Sequence, residues 1–493
     1  MPSSSHPSSG VAWQPWSGVA FARARKEHKP VLLSISTAWC RWCHEMDRTS
    51  YADSEIVAFI NDRFIPVRVD ADDRPDISER YSLGGWPTTA FLTPGGEILA
   101  GGTFVPIDRM RGVLTQVSEA FRSHPDRVAS PRDEEPPGAT DPVLDQAQLT
   151  ARVFATFDEA FGGFGTEPKF PHVAPLQLAL DLFVESPDAA LERMIVVSLD
   201  GIGWGGLYDG VDGGFFRYAT TREWELPHFE KLLDVNATLA RLFLEAGAKL
   251  KVTRFTERAG DTLRYVQNWL ADPVDGGWYG SQEADDRYYA ARSNDARQAL
   301  TAPSISHSLY ADSNAVMVST ALVAANLFTD DGLRDFAIKS LERVLLGCYK
   351  PGSGVAHYYD GEPRVRGLLA DQFAMAAACL DAFEVTDNVV YEMMAEELGH
   401  YAMRTMFDEA GGGFLDRGTE GGEESIGLMS RPLKPFVTNC DAARTLVRLG
   451  SASGEQEFVR AADRTIDAMR PLAAAQGPLA AHWLLAVRAA ASR

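Results

Sequence analysis

One motif, repeated four times, limits what this chain can fold into more than any other feature. The pattern Asp-x-x-x-Gly-Gly-aromatic occurs at Asp158…Gly162-Gly163-Phe164, Asp209…Gly213-Gly214-Phe215, Asp272…Gly276-Gly277-Trp278 and Asp408…Gly412-Gly413-Phe414. The first two spacings are 51 and 63 residues, and the last gap, 136, is about two units. Gly352-Ser353-Gly354 reads as a degenerate copy inside that gap. A unit of this size fits one αα-hairpin with its loops, and six hairpins closed into a ring bury every inner face without a terminal cap. The glycine pairs are expected to supply backbone angles that other residues resist, and the aromatic to pin the turn to the ring. Calcium does not fit, because an EF-hand loop needs acids at alternating positions and a distal Glu, which none of the four copies has.

Hydrophobic periodicity supports the hairpins. About twelve amphipathic stretches are expected, near 144–160, 174–184, 188–204, 229–250, 255–271, 308–328, 332–348, 368–383, 388–407, 436–449, 454–469 and 477–491. In the fourth, Leu232, Val235, Leu239, Leu242 and Ala246 recur at three- and four-residue steps.

Before this region the periods alternate. Helical patterns at Gly18–His28, Cys40–Asp47, Ser54–Asp62 and Ile107–Phe121 interleave with strand patterns at Val31–Ser36, Phe64–Asp70, Thr88–Leu92 and Glu97–Gly101. The last two strands flank Thr93-Pro94-Gly95-Gly96, a hairpin signal. The order describes a small α/β domain. Pro131 to Pro142, with four prolines and no apolar periodicity, reads as a linker. The expected organisation is an α/β domain over 11–125, a linker over 126–142 and an all-α (α/α)6 toroid over 143–493.

Cys40-Arg41-Trp42-Cys43 follows an apolar strand and opens a helix. Amides at a helix N-terminus stabilise a thiolate on the first cysteine, and Arg41 adds positive charge. Cys40 then acts as the nucleophile and Cys43 as the resolving thiol. Two rival readings stand beside this one. Cys40 to His44 matches a c-type haem attachment motif, which requires an exported apoprotein, and Met1–Gly10 lacks the regions of a signal peptide. Zinc on Cys40, Cys43 and His44 would need a fourth ligand from elsewhere.

Lys plus Arg is 47 and Asp plus Glu 68, a formal charge of −21 that argues against nucleic acid or an anionic membrane as partner. The remaining cysteines, Cys348, Cys379 and Cys440, are far apart in helical stretches and read as small buried apolar residues. Five cysteines so placed are not a secreted disulfide framework, no run of about 18 apolar residues appears, and a soluble, reducing, cytoplasmic setting is expected.

Gly85-Trp86-Pro87-Thr88-Thr89 precedes a strand and resembles the cis-proline loop that faces the cysteine pair in thioredoxins; Ser34 stands where thioredoxins carry a buried acid. More broadly, the chain is similar to the thioredoxin-domain proteins related to spermatogenesis-associated protein 20, which join a thioredoxin-like domain to a six-hairpin α/α barrel. The matching segments include Trp13-Gln14-Pro15-Trp16, Trp42-Cys43-His44, Val69 to Asp76, Gly84-Gly85-Trp86-Pro87, Pro168-Lys169-Phe170-Pro171-His172, Gly213-Gly214-Phe215, Trp224 and Pro227-His228-Phe229-Glu230-Lys231. Arg41 and Phe216 depart from the residues usual there.

The resemblance implies a barrel like those of sugar epimerases, isomerases and glycosidases, where His or carboxylate groups transfer protons. His228 and Glu230 are the candidates for that role, with Arg217, Tyr218, Trp224, Glu283, Asp285 and His357 around them; Trp204, Trp224 and Trp278 are candidates for stacking on a sugar. On the first domain, Trp39, Trp86 and Pro87 are expected to hold a target strand beside Cys40 and Cys43. The leading expectation is a thiol–disulfide oxidoreductase acting on a disulfide-bearing protein, with a sugar-like small molecule in the barrel. A sugar epimerase or isomerase with an accessory thioredoxin domain, and a non-enzymatic binding scaffold, are the alternatives. No cofactor and no metal are expected.

Overall fold

A computed structural model describes residues 10–123, 145–418 and 425–492. The linker expected at 126–142 lies outside the described residues. The chain divides into two compact units, Met1–Pro136 with Thr419–Leu433, and Pro137–Gly418 with Lys434–Arg493. Among the described residues no helix is long and apolar enough to cross a membrane.

The first unit runs α1 (Gly18–Glu27), β1 (Val31–Ser36), α2 (Arg41–Arg48), α3 (Ser54–Arg63), β2 (Ile65–Asp70), α4 (Pro75–Tyr81), β3 (Thr88–Leu92), β4 (Ile98–Gly102) and α5 (Ile107–Ser123). Side-chain caps start the helices: Ser17 accepts the Ala20 amide for α1, and Asp53 accepts those of Glu55 and Ile56 for α3. Helix α4 is absent from the periodicity; Pro75 at its first turn is the local signal for it. The sheet order is β2-β1-β3-β4, with β1 and β2 parallel and the other pairs antiparallel.

Every residue of β1 is buried because both sheet faces are covered. Leu32 packs with Ile56, Ile60, Phe91 and Leu114 on one side. Val31, Leu33 and Ile35 pack with Phe21, Ile77 and Tyr81 on the other, where Met429 joins them. Met429 belongs to a short helical turn, Gly427–Ser430, far along the chain from the sheet. The Tyr81 hydroxyl donates to the Gly96 carbonyl and accepts the Leu428 amide, each at 2.8 Å. Arg80 donates to the carbonyls of Leu428 and Arg431, each at 3.1 Å. Gly96 and Gly427, at φ +93° and +56°, approach so closely that a side chain on either would meet the other's backbone. Residues 425–433 thus complete the core of the first unit.

The second unit contains twelve long helices among the described residues: α6 (Gln146–Phe154), α7 (Val173–Glu185), α8 (Ala189–Trp204), α9 (Leu233–Leu250), α10 (Thr253–Tyr265), α11 (Ala311–Phe328), α12 (Asp331–Cys348), α13 (Leu369–Thr386), α14 (Val389–Met406), α15 (Phe436–Ser453), α16 (Gln456–Ala473) and α17 (Ala481–Ala491). Helices α7, α9, α11, α13, α15 and α17 pack side by side in that order, and α17 packs on α7 to close the ring. An outer helix backs each of them, and α6 backs α17, so the two ends of this unit meet in the sixth hairpin. This is the (α/α)6 toroid. The three lone cysteines are buried in its helices, and burial pushes the thiols of Cys348 and Cys379 up to about 12.

The repeated motif lies on the connections that lead from the outer helix of one hairpin to the inner helix of the next. Both glycines of every pair lie at positive φ, between +69° and +87°. The backbone N–H of Asp158, Asp209, Asp272 and Asp408 donates to the carbonyl of the second glycine at 2.9–3.0 Å. Each aspartate side chain meets a cation: Lys169 at 2.8 Å, Lys231 at 2.7 Å, Arg343 at 2.8 Å and Lys434 at 2.6 Å, in that order. An amide side chain then grips both backbone groups of the aromatic. Asn236 does so for Phe215, Asn314 for Trp278 and Asn439 for Phe414. Gln372 holds Val355 in the same way, which identifies Gly352–Gly354 as the fifth copy.

Two of these contacts have measurable consequences. Asn236→Leu leaves the buried Phe215 N–H and carbonyl without partners, at a cost of roughly 1–3 kcal/mol for each such group; calorimetric unfolding of the barrel is expected to show a loss of several degrees. Lys434 and the amides of Gly411 and Ala410 hold the Asp408 carboxyl down at about 2. A carboxylate depressed in the folded state stabilises above its unfolded value of about 3.9 and stops doing so as pH falls through its folded value. The stability difference between wild type and Asp408→Asn is therefore expected to be largest above about pH 5 and to vanish near pH 2. In the first unit, Tyr81→Phe removes the acceptor of the Leu428 amide, and hydrogen exchange at that amide is expected to quicken by about tenfold, the worth of one hydrogen bond.

Candidate functional site

The cysteine pair sits where β1 hands over to α2. Cys40 is the N-cap of α2, its Sγ accepts the Cys43 amide at 3.1 Å, and its carbonyl accepts the His44 amide at 3.1 Å. The two cysteines are disulfide-bonded with Cα atoms 5.3 Å apart. Both are buried, yet Trp42 and Trp86 beside them are 43% and 37% exposed, an open aromatic surface. The Trp86–Pro87 peptide is cis, and Trp86 meets Trp39 edge to face with ring centroids 5.7 Å apart. That contact brings the Pro87 loop against the residue preceding Cys40. Trp39, Trp86, Pro87, Cys40 and Cys43 therefore share one place in the fold.

Sequence reasoning missed the acids of this site. The Trp39 indole donates to Asp72 at 2.6 Å. Asp70, opposite Ser36 in the parallel ladder, accepts the Asp72 amide at 2.9 Å. Burial, with Asp72 and Asp73 alongside, pushes the Asp70 carboxyl well above the usual range. Ser34, on β1, carries no charge; the titratable groups lie instead at the end of β2 and in the loop after it. The motif Val69 to Asp76 was their signal.

In the second unit, several of the expected residues gather on short strands. Tyr218 pairs with His228 in a two-residue ladder, and Lys169 bridges to Ala219 beside it. The rings of Phe170, Tyr218 and His228 consequently stack in a row, with centroids 4.6 and 4.4 Å apart. The Arg217 guanidinium lies 4.8 Å from the Tyr218 ring. His228 Nδ1 is 3.7 Å from Glu230, which is buried and whose Oε2 lacks a hydrogen-bond partner among the described residues. Glu283 follows the strand that pairs with Lys231–Leu232, and its amide donates to Ser304.

Other expected residues lie elsewhere. Trp224 is wholly buried, donates to the Phe161 carbonyl at 2.8 Å and packs under the first Gly-Gly turn; Trp278 is buried likewise. Neither offers a ring face to a ligand. Trp204 is exposed on outer helix α8 with Arg258 over its ring. Asp285 caps the short helix Asp286–Ala290. Lys169 and Lys231, the conspicuous cations of the Pro168 and Pro227 segments, are fully buried partners of the turn aspartates.

A second cluster forms where the inner helices begin. Asp234, Asp312 and Asp371 occupy the first turns of α9, α11 and α13. Asp371 Oδ1 lies 2.9 Å from His357 Nδ1. Burial raises the Asp371 carboxyl, as does the neighbouring Asp312. Crowding by the surrounding protein raises Asp234 as well, with Asp312 adding repulsion and Arg217 opposing it. A repeated pattern could have revealed two of these carboxylates, since Asp-x-Asn-Ala occurs at Asp234–Ala237 and again at Asp312–Ala315.

Residues 4–135 match the family model Thioredox_DsbH, described as "Protein of unknown function, DUF255". Spermatogenesis-associated protein 20 from Homo sapiens is 31% identical over 312 residues, covering 57% of this chain and 40% of that protein. An uncharacterized Caenorhabditis elegans protein is 28% identical over 313 residues, covering 57% of this chain and 42% of its own length. The matches thus span less than half of these relatives. Among solved structures, cellobiose 2-epimerase from Bacillus thermoamylovorans superposes with TM-score 0.52 at 10% identity, covering 64% of this chain and 82% of that one. A GH76 alpha-mannanase from Bacteroides thetaiotaomicron gives 0.51 at 11% identity, covering 70% and 96%. At such identities the likeness is one of fold. The chain joins a thioredoxin-like region to a six-hairpin barrel of the glycosidase and epimerase type, and its resemblance to the spermatogenesis-associated protein 20 proteins holds.

Proposed function

We propose that the first unit catalyses thiol–disulfide exchange. The observation that carries this reading is Cys40 as N-cap of α2, its sulfur receiving the Cys43 amide, beside the exposed indoles of Trp42 and Trp86. In the reduced protein the helix amides and Arg41 favour the Cys40 thiolate. That thiolate attacks a substrate disulfide, forms a Cys40–substrate disulfide and releases one substrate thiolate, which takes up a proton. The Cys43 thiolate then attacks Cys40 Sγ, closing the Cys40–Cys43 bond and releasing the second substrate thiol. An external dithiol restores the reduced pair.

Cys43→Ser is expected to accumulate the mixed disulfide with a peptide disulfide, detected as a covalent adduct by mass spectrometry. Cys40→Ser is expected to lower insulin reduction by roughly a hundredfold, since it removes the attacking thiolate itself. Failure of the Cys43→Ser protein to form any adduct would sink the proposal.

A second reading concerns the barrel. His228, stacked on Tyr218 and 3.7 Å from the buried Glu230, has the make-up of a proton-transfer pair for a sugar carbon. The names of the superposed enzymes favour a carbohydrate as its substrate. Solvent-deuterium exchange into an aldose, followed by NMR, is expected to disappear in His228→Ala and persist in Cys40→Ser.

A further inference from the structure

We propose that Asp312, His357 and Asp371 hold a divalent cation of the Mn2+ or Zn2+ type where the inner helices begin. Helices α11 and α13 are neighbours in the ring, which sets Asp312 and Asp371 side by side. His357 reaches them from the strand Gly354–Tyr359. One donor atom from each of the three lies within 4.8 Å of the other two. Donors bound to one cation by bonds of about 2.2 Å stand roughly 3–4.4 Å apart, from adjacent to opposite positions, so modest side-chain movements bring the three atoms onto one ion.

Two features separate this cluster from an ordinary histidine–carboxylate pair. Asp371 is fully buried, and while its Oδ1 fixes the His357 ring, its Oδ2 has no hydrogen-bond partner among the described residues. A buried carboxylate oxygen left in that condition is costly, and a cation is the partner that its neighbours Asp312 and His357 are placed to share. The charge balance points the same way. Asp234, Asp312 and Asp371 bring three carboxylates from three adjacent inner helices, and the groups opposing them are Arg217 and the His357 ring. Mixed carboxylate and imidazole donors suit Mn2+ or Zn2+ better than Ca2+, which takes oxygen. Three protein ligands leave coordination positions open for water or the hydroxyls of a bound molecule. Among the described residues the other mixed group, His400 with Glu455 and Glu457, lies on the open surface and supplies a control.

The test is titration of the full chain, stripped with a chelator and carrying Cys40→Ser and Cys43→Ser to remove thiolate ligands, with Mn2+ and with Zn2+. Calorimetry and Mn2+ EPR are the readouts. About one equivalent is expected to bind, with affinity falling at least about tenfold in His357→Ala, Asp371→Asn and Asp312→Asn, and unchanged in His400→Ala. Asp312 is only half-buried, so its variant decides the matter if Asp371→Asn fails to fold. No saturable uptake of either ion, uptake undiminished in Asp312→Asn, or uptake lost in His400→Ala would overturn the proposal.

Discussion

Four turns of the barrel depend on an ionised aspartate neutralised on the spot, and two of these, Asp158 and Asp209, are taken out of water. Burial alone would raise the Asp158 carboxyl, but Arg222, Lys169 and two backbone amides outweigh it and hold the group well below the usual range. Asp209 behaves similarly with Lys231 and Arg297. The penalty falls on the cation too: burial brings Lys231 down to about 8 despite Asp209. Such a pair contributes little net stability, whereas a half-pair is strongly destabilising, so the arrangement acts as a selector of one geometry. In three of the four turns the neutralising lysine arrives from the segment entering the next inner helix. Satisfying the turn therefore sets where that helix starts.

This dependence carries through to chemistry. Asn236 and Asn314 must sit in the first turns of α9 and α11 to hold Phe215 and Trp278. Asp234 and Asp312, two positions earlier, are thereby aligned at the same end of the ring. The stacked row of Phe170, Tyr218 and His228 is built on strands adjoining the buried Lys169. The groups that close the fold and the groups left over for a ligand alternate along the same short stretches of chain.

That alternation explains what the sequence discloses. The glycine pairs, the helix periods and the strand–Cys-x-x-Cys–helix order are local signals, and each marks an element found in the structure. Trp224 and Lys231 stand out in the sequence for a reason that concerns the turn rather than a ligand, and only three-dimensional burial separates those roles. Asp371 and His357 are 14 residues apart, and no local pattern announces that a strand and a helix will bring them together. Gly352-Ser353-Gly354 marked the fifth turn only as a degenerate copy, because Val355 stands in place of the aromatic and Gln372 in place of the asparagine. Asp70 and Asp72 were visible as a motif, but their relation to Trp39 depends on the parallel pairing of β1 and β2.

The return of residues 425–433 to the first unit bears on how this protein is made. On the ribosome, the sheet, α1 and α4 emerge more than 300 residues before Met429. During synthesis at about 5–20 residues per second, the apolar face around Ile77 and Tyr81 waits many seconds for its last covering piece. The amino-terminal unit finishes folding only after most of the barrel sequence has been translated. Most of the barrel sequence, Pro137–Gly418, thus lies between the two parts of the smaller unit, and a fragment cut at the proline-rich stretch would carry an uncapped core.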